Sequence, residues 1–164
     1  MLRGGDLEFG STYPLHMPSG RGISVRRAGP GDEREVERFD QVFDDAVRAE
    51  ETERFLADER HILILGYLED RPAGFVSAVE VFHPDKPPEL FLNEIGVAEE
   101  ARRRGVARAL VEELKRIGHE RGCKEVWVLT DEGNRPAMGL YASTGGAWDG
   151  ASQVMFEYDL GRND

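Results

Sequence analysis

The chain has 164 residues, 40% of them hydrophobic and 9% aromatic, which suits one compact domain with a real core and excludes general disorder. Asp plus Glu number 32 against 21 Lys plus Arg, and the resulting net charge of −11 repels a phosphate backbone, so nucleic acid is not an expected partner. The same charge suits a cationic ligand, and it also serves solubility alone.

Residues 1–21 are rich in Gly, Pro and charge, have no sustained period and lack the apolar centre of a secretion signal. They are expected to be a flexible or extra N-terminal segment ahead of a single domain over 22–164. Ile23 to Arg27 alternates as a first strand, which Gly29-Pro30-Gly31-Asp32 breaks. Asp32 and Glu35 have capping-box spacing before Val36, Phe39, Val42 and Phe43 at helical intervals. From Asp44 to Asp58 the pattern predicts the end of that helix and a second one. Ile62 to Leu68 is apolar enough for a strand covered on both faces, and with Ala73 to Phe82 it predicts a hairpin turning at Glu69-Asp70-Arg71-Pro72.

His83 to Pro88 must be a loop, and Leu90 to Val97 a fourth strand. Val106, Leu110, Val111, Leu114 and Ile117 make the apolar stripe of a helix from about Arg103 to Arg121, with a Glu112–Arg116 pair on its wet side and Gly122 as its stop. A buried strand over Glu125–Thr130, a helix entered at Asn134-Arg135-Pro136 and halted at Gly145-Gly146, and a last strand over Gln153–Leu160 complete the pattern. The fold class is α+β, a mostly antiparallel sheet with one parallel crossover from Leu90 to Leu129.

Cys123 is the single cysteine, which excludes an intrachain disulfide and a cysteine-based zinc cluster and predicts a cytoplasmic location. It reads as a buried apolar residue rather than a nucleophile. His16, His61, His83 and His119 share no metal-ligand spacing, so no metal is expected. No stretch approaches the ~20 apolar residues of a membrane span, so no membrane is expected either. His83-Pro84-Asp85 matches a co-chaperone tripeptide, but it stands between strands where that motif needs helices.

The informative segment is Ile95 to Leu110. A strand ends, Arg102, Arg103 and Arg104 follow, and an amphipathic helix begins at Gly105-Val106-Ala107-Arg108. The first N–H groups of a helix have no internal partners and point, with the helix dipole, at whatever precedes them. Such a turn holds a phosphate, with Gly105 admitting it to the main chain and the arginines supplying charge. The alternative is a solvated basic face. Neither G-x-x-x-x-G-K-[ST] nor G-x-G-x-x-G occurs between a strand and a helix.

Arg102-Arg103-Arg104-Gly105-Val106-Ala107 resembles the [QR]-x-x-G-x-[GA] signature of the GNAT superfamily of N-acetyltransferases, at the expected point after the fourth strand. Asn134, Ala137, Leu140, Tyr141 and Gly145 match a second element of that family, N-x-x-A-x-x-L-Y-x-x-x-G. The resemblance implies the GNAT fold, a mixed sheet of six to seven strands splayed between the fourth and fifth, with about four helices. It implies acetyl-CoA as co-substrate, its pyrophosphate on the amides of about Arg103 to Arg108 and its pantetheine arm along Ile95, Gly96 and Val97, with Asn134 and Tyr141 near its reactive end. Tyr141, whose reference pKa is ~10, would protonate the departing thiolate; the alternative is a core aromatic. A homodimer is compatible with the family.

An acceptor amine must be neutral to attack, and Glu94, a carboxylate inside an otherwise apolar strand, is the expected base. The alternatives are a solvent-facing side chain or a partner for an arginine. Asp131 and Glu132 are expected to join it in an acidic substrate pocket, or else to form only a polar loop. Asp44, Asp45, Glu50 and Glu51 lie in the helical region that borders the acceptor in this superfamily.

Within the superfamily, Glu89 to Leu110, the loop before it, and Thr130 to Ala137 resemble the type I aminoglycoside 3-N-acetyltransferases. Where those carry an aromatic-Asp pair this chain has Asn93-Glu94, which keeps the acid and loses the aromatic. The implied reaction acetylates the 3-amino group of the deoxystreptamine ring and confers antibiotic resistance. Alternatives are acetylation of another small-molecule or peptide amine, or a non-catalytic acetyl-CoA-binding module.

Overall fold

The computed structural model describes residues 22–151 and 154–161. The segment 1–21 and Gln153 therefore lie outside the described residues. Five strands, β1 (Ile23–Ala28), β2 (His61–Leu68), β3 (Arg71–Val81), β4 (Glu89–Val97) and β5 (Val126–Val128), form one sheet in chain order. Neighbours from β1 to β4 run antiparallel and β5 lies parallel to β4. Helices α1 (Glu33–Glu37) and α2 (Ala49–Ala57) precede β2, α3 (Val106–Glu120) makes the crossover to β5, and α4 (Arg135–Ser143) follows it.

The period of two in β2 shows directly in the packing. Ile62 and Ile64 join a cluster under α3 with Val76, Leu90, Leu92, Val106, Leu110 and Leu114. Leu63, Leu65 and Tyr67 face the other way, onto Phe39, Leu56 and Phe75 beneath α1 and α2. Both faces of β2 are covered, as its composition predicts. The five apolar side chains of the α3 stripe are buried, each worth about 1.5–3 kcal/mol of transfer free energy before ordering costs.

The β2–β3 turn is tighter than expected. Only Glu69 and Asp70 form it, with φ of 51° and 62°, and a two-residue turn with both residues left-handed matches the twist of the flanking strands. Pro72 opens β3 beside a register shift opposite Tyr67, where a missing N–H costs no regular ladder bond. At the far end of α3, Cys123 N donates to Gly118 O at 2.9 Å and Gly122 N to His119 O at 3.1 Å. With Gly122 at φ 70°, this is a Schellman stop.

Several expectations are corrected. Asp32 does not cap α1 through a capping box; its Oδ2 accepts from Gly29 N at 2.9 Å and Arg26 Nη1 at 3.0 Å. The helix ends at Glu37 and a 3-10 turn, Asp40–Val42, carries the chain onward. Helix α3 starts at Val106 rather than Arg103, because Arg103 and Gly105 both have positive φ. Arg116 pairs with Glu113 and Glu120, while Glu112 accepts from Lys115 at 2.9 Å. The strand expected over Glu125–Thr130 is three residues long and partly exposed.

The last expected strand does not form. Val154 to Leu160 is irregular, and Val154, Met155, Phe156, Tyr158 and Leu160 are exposed. The sheet therefore has five strands among the described residues instead of six to seven. Three residues of β5 offer too short a ladder to satisfy a seven-residue neighbour. No helix among the described residues is long and apolar enough to cross a membrane.

Candidate active site

One irregularity in β4 organises the site. Ser77 pairs with Glu94 but Ala78 pairs with Leu92, so Asn93 is an extra residue, a β-bulge. Before it, Leu90 N donates toward β5, to Glu125 O at 3.0 Å; after it, Ala98 N donates toward β3, to Ala73 O at 2.9 Å. Antiparallel ladders alternate, so Gly96 and Glu94 also bond toward β3 while the N–H and C=O of Ile95 and Val97 point to the β5 side. Among the described residues no strand meets them there: the β4–β5 ladder stops at Leu92 and Val128. The edge of β4 beyond Leu92 is therefore open on the side where the splay between the fourth and fifth strands is expected.

The bulge also turns side chains. Leu90 and Leu92 lie in the α3 cluster, and Ile95 and Val97 pack against that same cluster. Glu94 is thereby left on the opposite face. There it lines a cavity of about 330 Å³ with Ser77, Asn93 and residues of the segment from Phe43 to Leu56. That segment is anchored by Asp40, whose Oδ1 accepts from Val47 N at 2.7 Å. Gly96 lets it approach, since a Cβ at this position would stand 2.8 Å from Val42 O.

Glu94 is half-buried, and burial together with the charges of Asp44 and Asp45 lifts its carboxyl above the ordinary carboxylate range. Among the described residues no arginine forms an ion pair with Glu94. Asp45 and Glu51 line the cavity; Asp44 acts on Glu94 through its charge, and Glu50 is exposed on α2. Asp131 and Glu132 are exposed in the loop between β5 and α4 and do not line this cavity. The structure thus gathers the acids of the α1–α2 side around Glu94 and leaves that pair apart.

On the other side of the sheet, Gly105 precedes α3 with φ 97° and no side chain caps the helix. The first i−4 bond is Ala109 N to Gly105 O at 3.0 Å, so the amides of Val106, Ala107 and Arg108 have no helical acceptor. Arg102, Arg103 and Arg104 are exposed beside them. Arg104 lies 3.4 Å from Glu69 at the surface, a weak pair. This turn fits a diphosphate, and the open edge of Ile95 and Val97 fits an extended amide-bearing arm, as acetyl-CoA would require.

Tyr141 is half-buried and packs, with Leu140, against the cluster that Ile95, Val97 and Val128 also flank. Burial raises its phenol pKa, so it keeps its proton at neutral pH. Asn134 Oδ1 accepts from Ala137 N at 3.2 Å and caps α4, with Pro136 in the first turn, as its sequence position predicts. Among the described residues no three His, Cys, Asp or Glu side chains are grouped to hold a metal.

Sequence reasoning did not assign Phe43, Val47, Phe55 or Ser77 to a site. The first three looked like ordinary helix-spaced apolar residues. Ser77, the one hydroxyl in the run Ala73–Val79, was the available signal.

The acetyltransferase (GNAT) family model matches residues 30–145. No curated protein matches the sequence. Among solved structures, the chain is similar to an aminoglycoside acetyltransferase, meta-AAC0020, from an uncultured soil metagenomic sample, in complex with sisomicin. That match has 18% identity and a TM-score of 0.77 over 85% of this chain and 97% of that one. It is also similar to AAC(6')-Iy in complex with the bisubstrate analog CoA-S-monomethyl-acetylneamine, at 20% identity and TM-score 0.70 over 84% and 97%. A third is a ribosomal-protein-alanine N-acetyltransferase from Brucella melitensis biovar Abortus 2308, at 18% identity and TM-score 0.64 over 83% and 99%. These similarities show a shared fold.

Proposed function

This chain belongs to the acetyltransferase (GNAT) family, and we propose that it transfers acetyl from acetyl-CoA to an amine of an aminoglycoside, the 3-amino group of the deoxystreptamine ring. The observation that carries this reading is Glu94. It stands on one face of β4 in a cavity whose mouth carries Asp45 and Glu51, while Ile95 and Val97 turn their amides into the β4–β5 gap.

Acetyl-CoA, when bound, supplies the thioester carbonyl that the amine attacks. The amides of Val106, Ala107 and Arg108 and the charges of Arg102 to Arg104 hold its diphosphate. The amides of Ile95 and Val97 bind the extended arm and polarise the carbonyl. Glu94, its pKa raised by burial and by the charges of Asp44 and Asp45, takes the amine proton directly or through water. Tyr141, still protonated, gives a proton to the sulfur. The net charge of −11 and the acids Asp44, Asp45 and Glu51 favour the approach of a polycation.

The test is steady-state release of CoA with a gentamicin-type drug, a polyamine and an amino-acid amide as acceptors, followed by mapping of the acetylated nitrogen. Release with the drug, and acetyl on the 3-amino nitrogen, supports the reading. Binding of acetyl-CoA without release for any amine identifies a non-catalytic module instead.

A further inference from the structure

The cavity that holds Glu94 is charged at its mouth, carries Thr52, Ser77 and Asn93 beside Glu94, and is otherwise walled by apolar side chains. Asp45, Arg48 and Glu51 are exposed, whereas Phe43, Val47, Phe55 and Leu63 among others supply the hydrocarbon. Two of these rings are fixed in place. Phe43 stacks on Phe75 with centroids 3.9 Å apart, and Phe55 on His61 at 4.7 Å. At about 330 Å³ the space lies at the lower end of the range for small-molecule sites, roughly 300–1,000 Å³, and suits one ring with its amine.

Hydroxyl or ammonium groups pressed against Phe43, Val47, Phe55 and Leu63 lose water and gain no hydrogen bond from those side chains. Hydrocarbon gains by leaving water there. Charge complementarity places a single cation at Glu94, and the wall chemistry places an apolar body behind it.

Resting on the acetyl-transfer role of Glu94, we infer a further activity: the chain acetylates primary amines with a compact apolar body, a cycloalkylmethyl or arylmethyl amine, whose ring is held by Phe43, Val47, Phe55 and Leu63. The ammonium first releases one proton through Glu94 to solvent. The nitrogen lone pair then forms the C–N bond as the C–S bond breaks. The second proton lost from nitrogen balances the one that Tyr141 gives to the thiolate, and no redox partner is needed.

The test measures CoA release by the full chain with cyclohexylmethylamine, ethylamine and a gentamicin-type drug, in the native protein and in Ala46→Trp. Ala46 lines the cavity at an exposed position outside both core clusters, so the indole fills the cavity and not the core. The expected kcat/KM for cyclohexylmethylamine exceeds that for ethylamine at least roughly tenfold. In Ala46→Trp that ratio falls to about one with acetyl-CoA affinity unchanged. Thr52→Phe, another lining position, makes the same test should the first variant not fold. A ratio near one in the native protein, or a ratio that survives both fillings, overturns the inference while drug acetylation stands. No CoA release with any amine overturns the acetyl-transfer reading and this inference together.

Discussion

Ser77 faces Glu94 across the β3–β4 ladder while its neighbour Ala78 faces Leu92, and the unpaired Asn93 between them sets which face of β4 each later side chain takes. Were Asn93 instead paired in regular register opposite Ser77, Glu94 would stand opposite Val76 and share the α3 face with Leu90 and Leu92, because side chains along a strand alternate. Deleting Asn93 closes the bulge and leaves Glu94 opposite Ser77 on the same face, so acetyl transfer is expected to persist with the β3–β4 ladder made regular. Activity assays alongside far-UV circular dichroism check this.

Replacing Glu94 by Gln is expected to lower kcat on the order of 10²-fold, the scale of general base catalysis, with acetyl-CoA affinity intact. The acid limb of the pH–rate profile, which in the native protein lies above the ordinary carboxylate range, should vanish with it.

The same variant should be more stable than the native protein at neutral pH. Burial and the charges of Asp44 and Asp45 raise the folded-state pKa of Glu94 above its unfolded value. The folded state then binds the proton more tightly, and native stability falls as pH rises through the folded pKa. The Tm gap between Glu94→Gln and native protein should be nil below about pH 4, the reference carboxylate range, and should open as pH rises. Melting curves from pH 3 to 8 measure it.

Tyr141→Phe keeps the packing and removes the proton. We expect kcat to fall on the order of 10²-fold with Tm nearly unchanged. Burial raises this phenol's pKa, so the native alkaline limb lies above its usual value of ~10. An unaltered kcat in the variant would leave sulfur protonation to solvent.

Gly105 and Gly96 are required for different reasons. At Gly105 the nearest atom to an added Cβ is Ile23 Cδ1 at 3.5 Å, ordinary contact, so the constraint is φ 97°. Gly105→Ala should cost about 1–3 kcal/mol of stability, and Gly105→Glu should lower acetyl-CoA affinity at least roughly tenfold by setting a carboxylate before the free amides. At Gly96 an added Cβ meets Phe75 Cε1 at 2.7 Å and Val42 O at 2.8 Å. Gly96→Ala should cost about 1–3 kcal/mol as overpacking and raise the acceptor KM by displacing the segment that follows Val42. Denaturant titrations and binding isotherms separate the two.

Much of this protein is local and was legible in order. The stripe from Val106 to Ile117, the Gly122 stop, the Asn134 cap and the two apolar faces of β2 follow from 3.6- and 2-residue periods and from the few residues that end helices well. The Arg102–Gly105 turn before α3 belongs with these, since helix-end amides are open wherever a helix begins.

Tertiary structure decided what depends on partners distant in the chain. No local pattern says that Asn93 is extra, because a bulge exists only relative to the strand beside it. The acids that surround Glu94 come from the segment after α1 and not from the loop after β5, since packing over Gly96 brings the first pair close and nothing brings the second. Val154 to Leu160 has the alternation of a strand, yet a strand is completed by its neighbour's hydrogen bonds, and the three residues of β5 do not supply them.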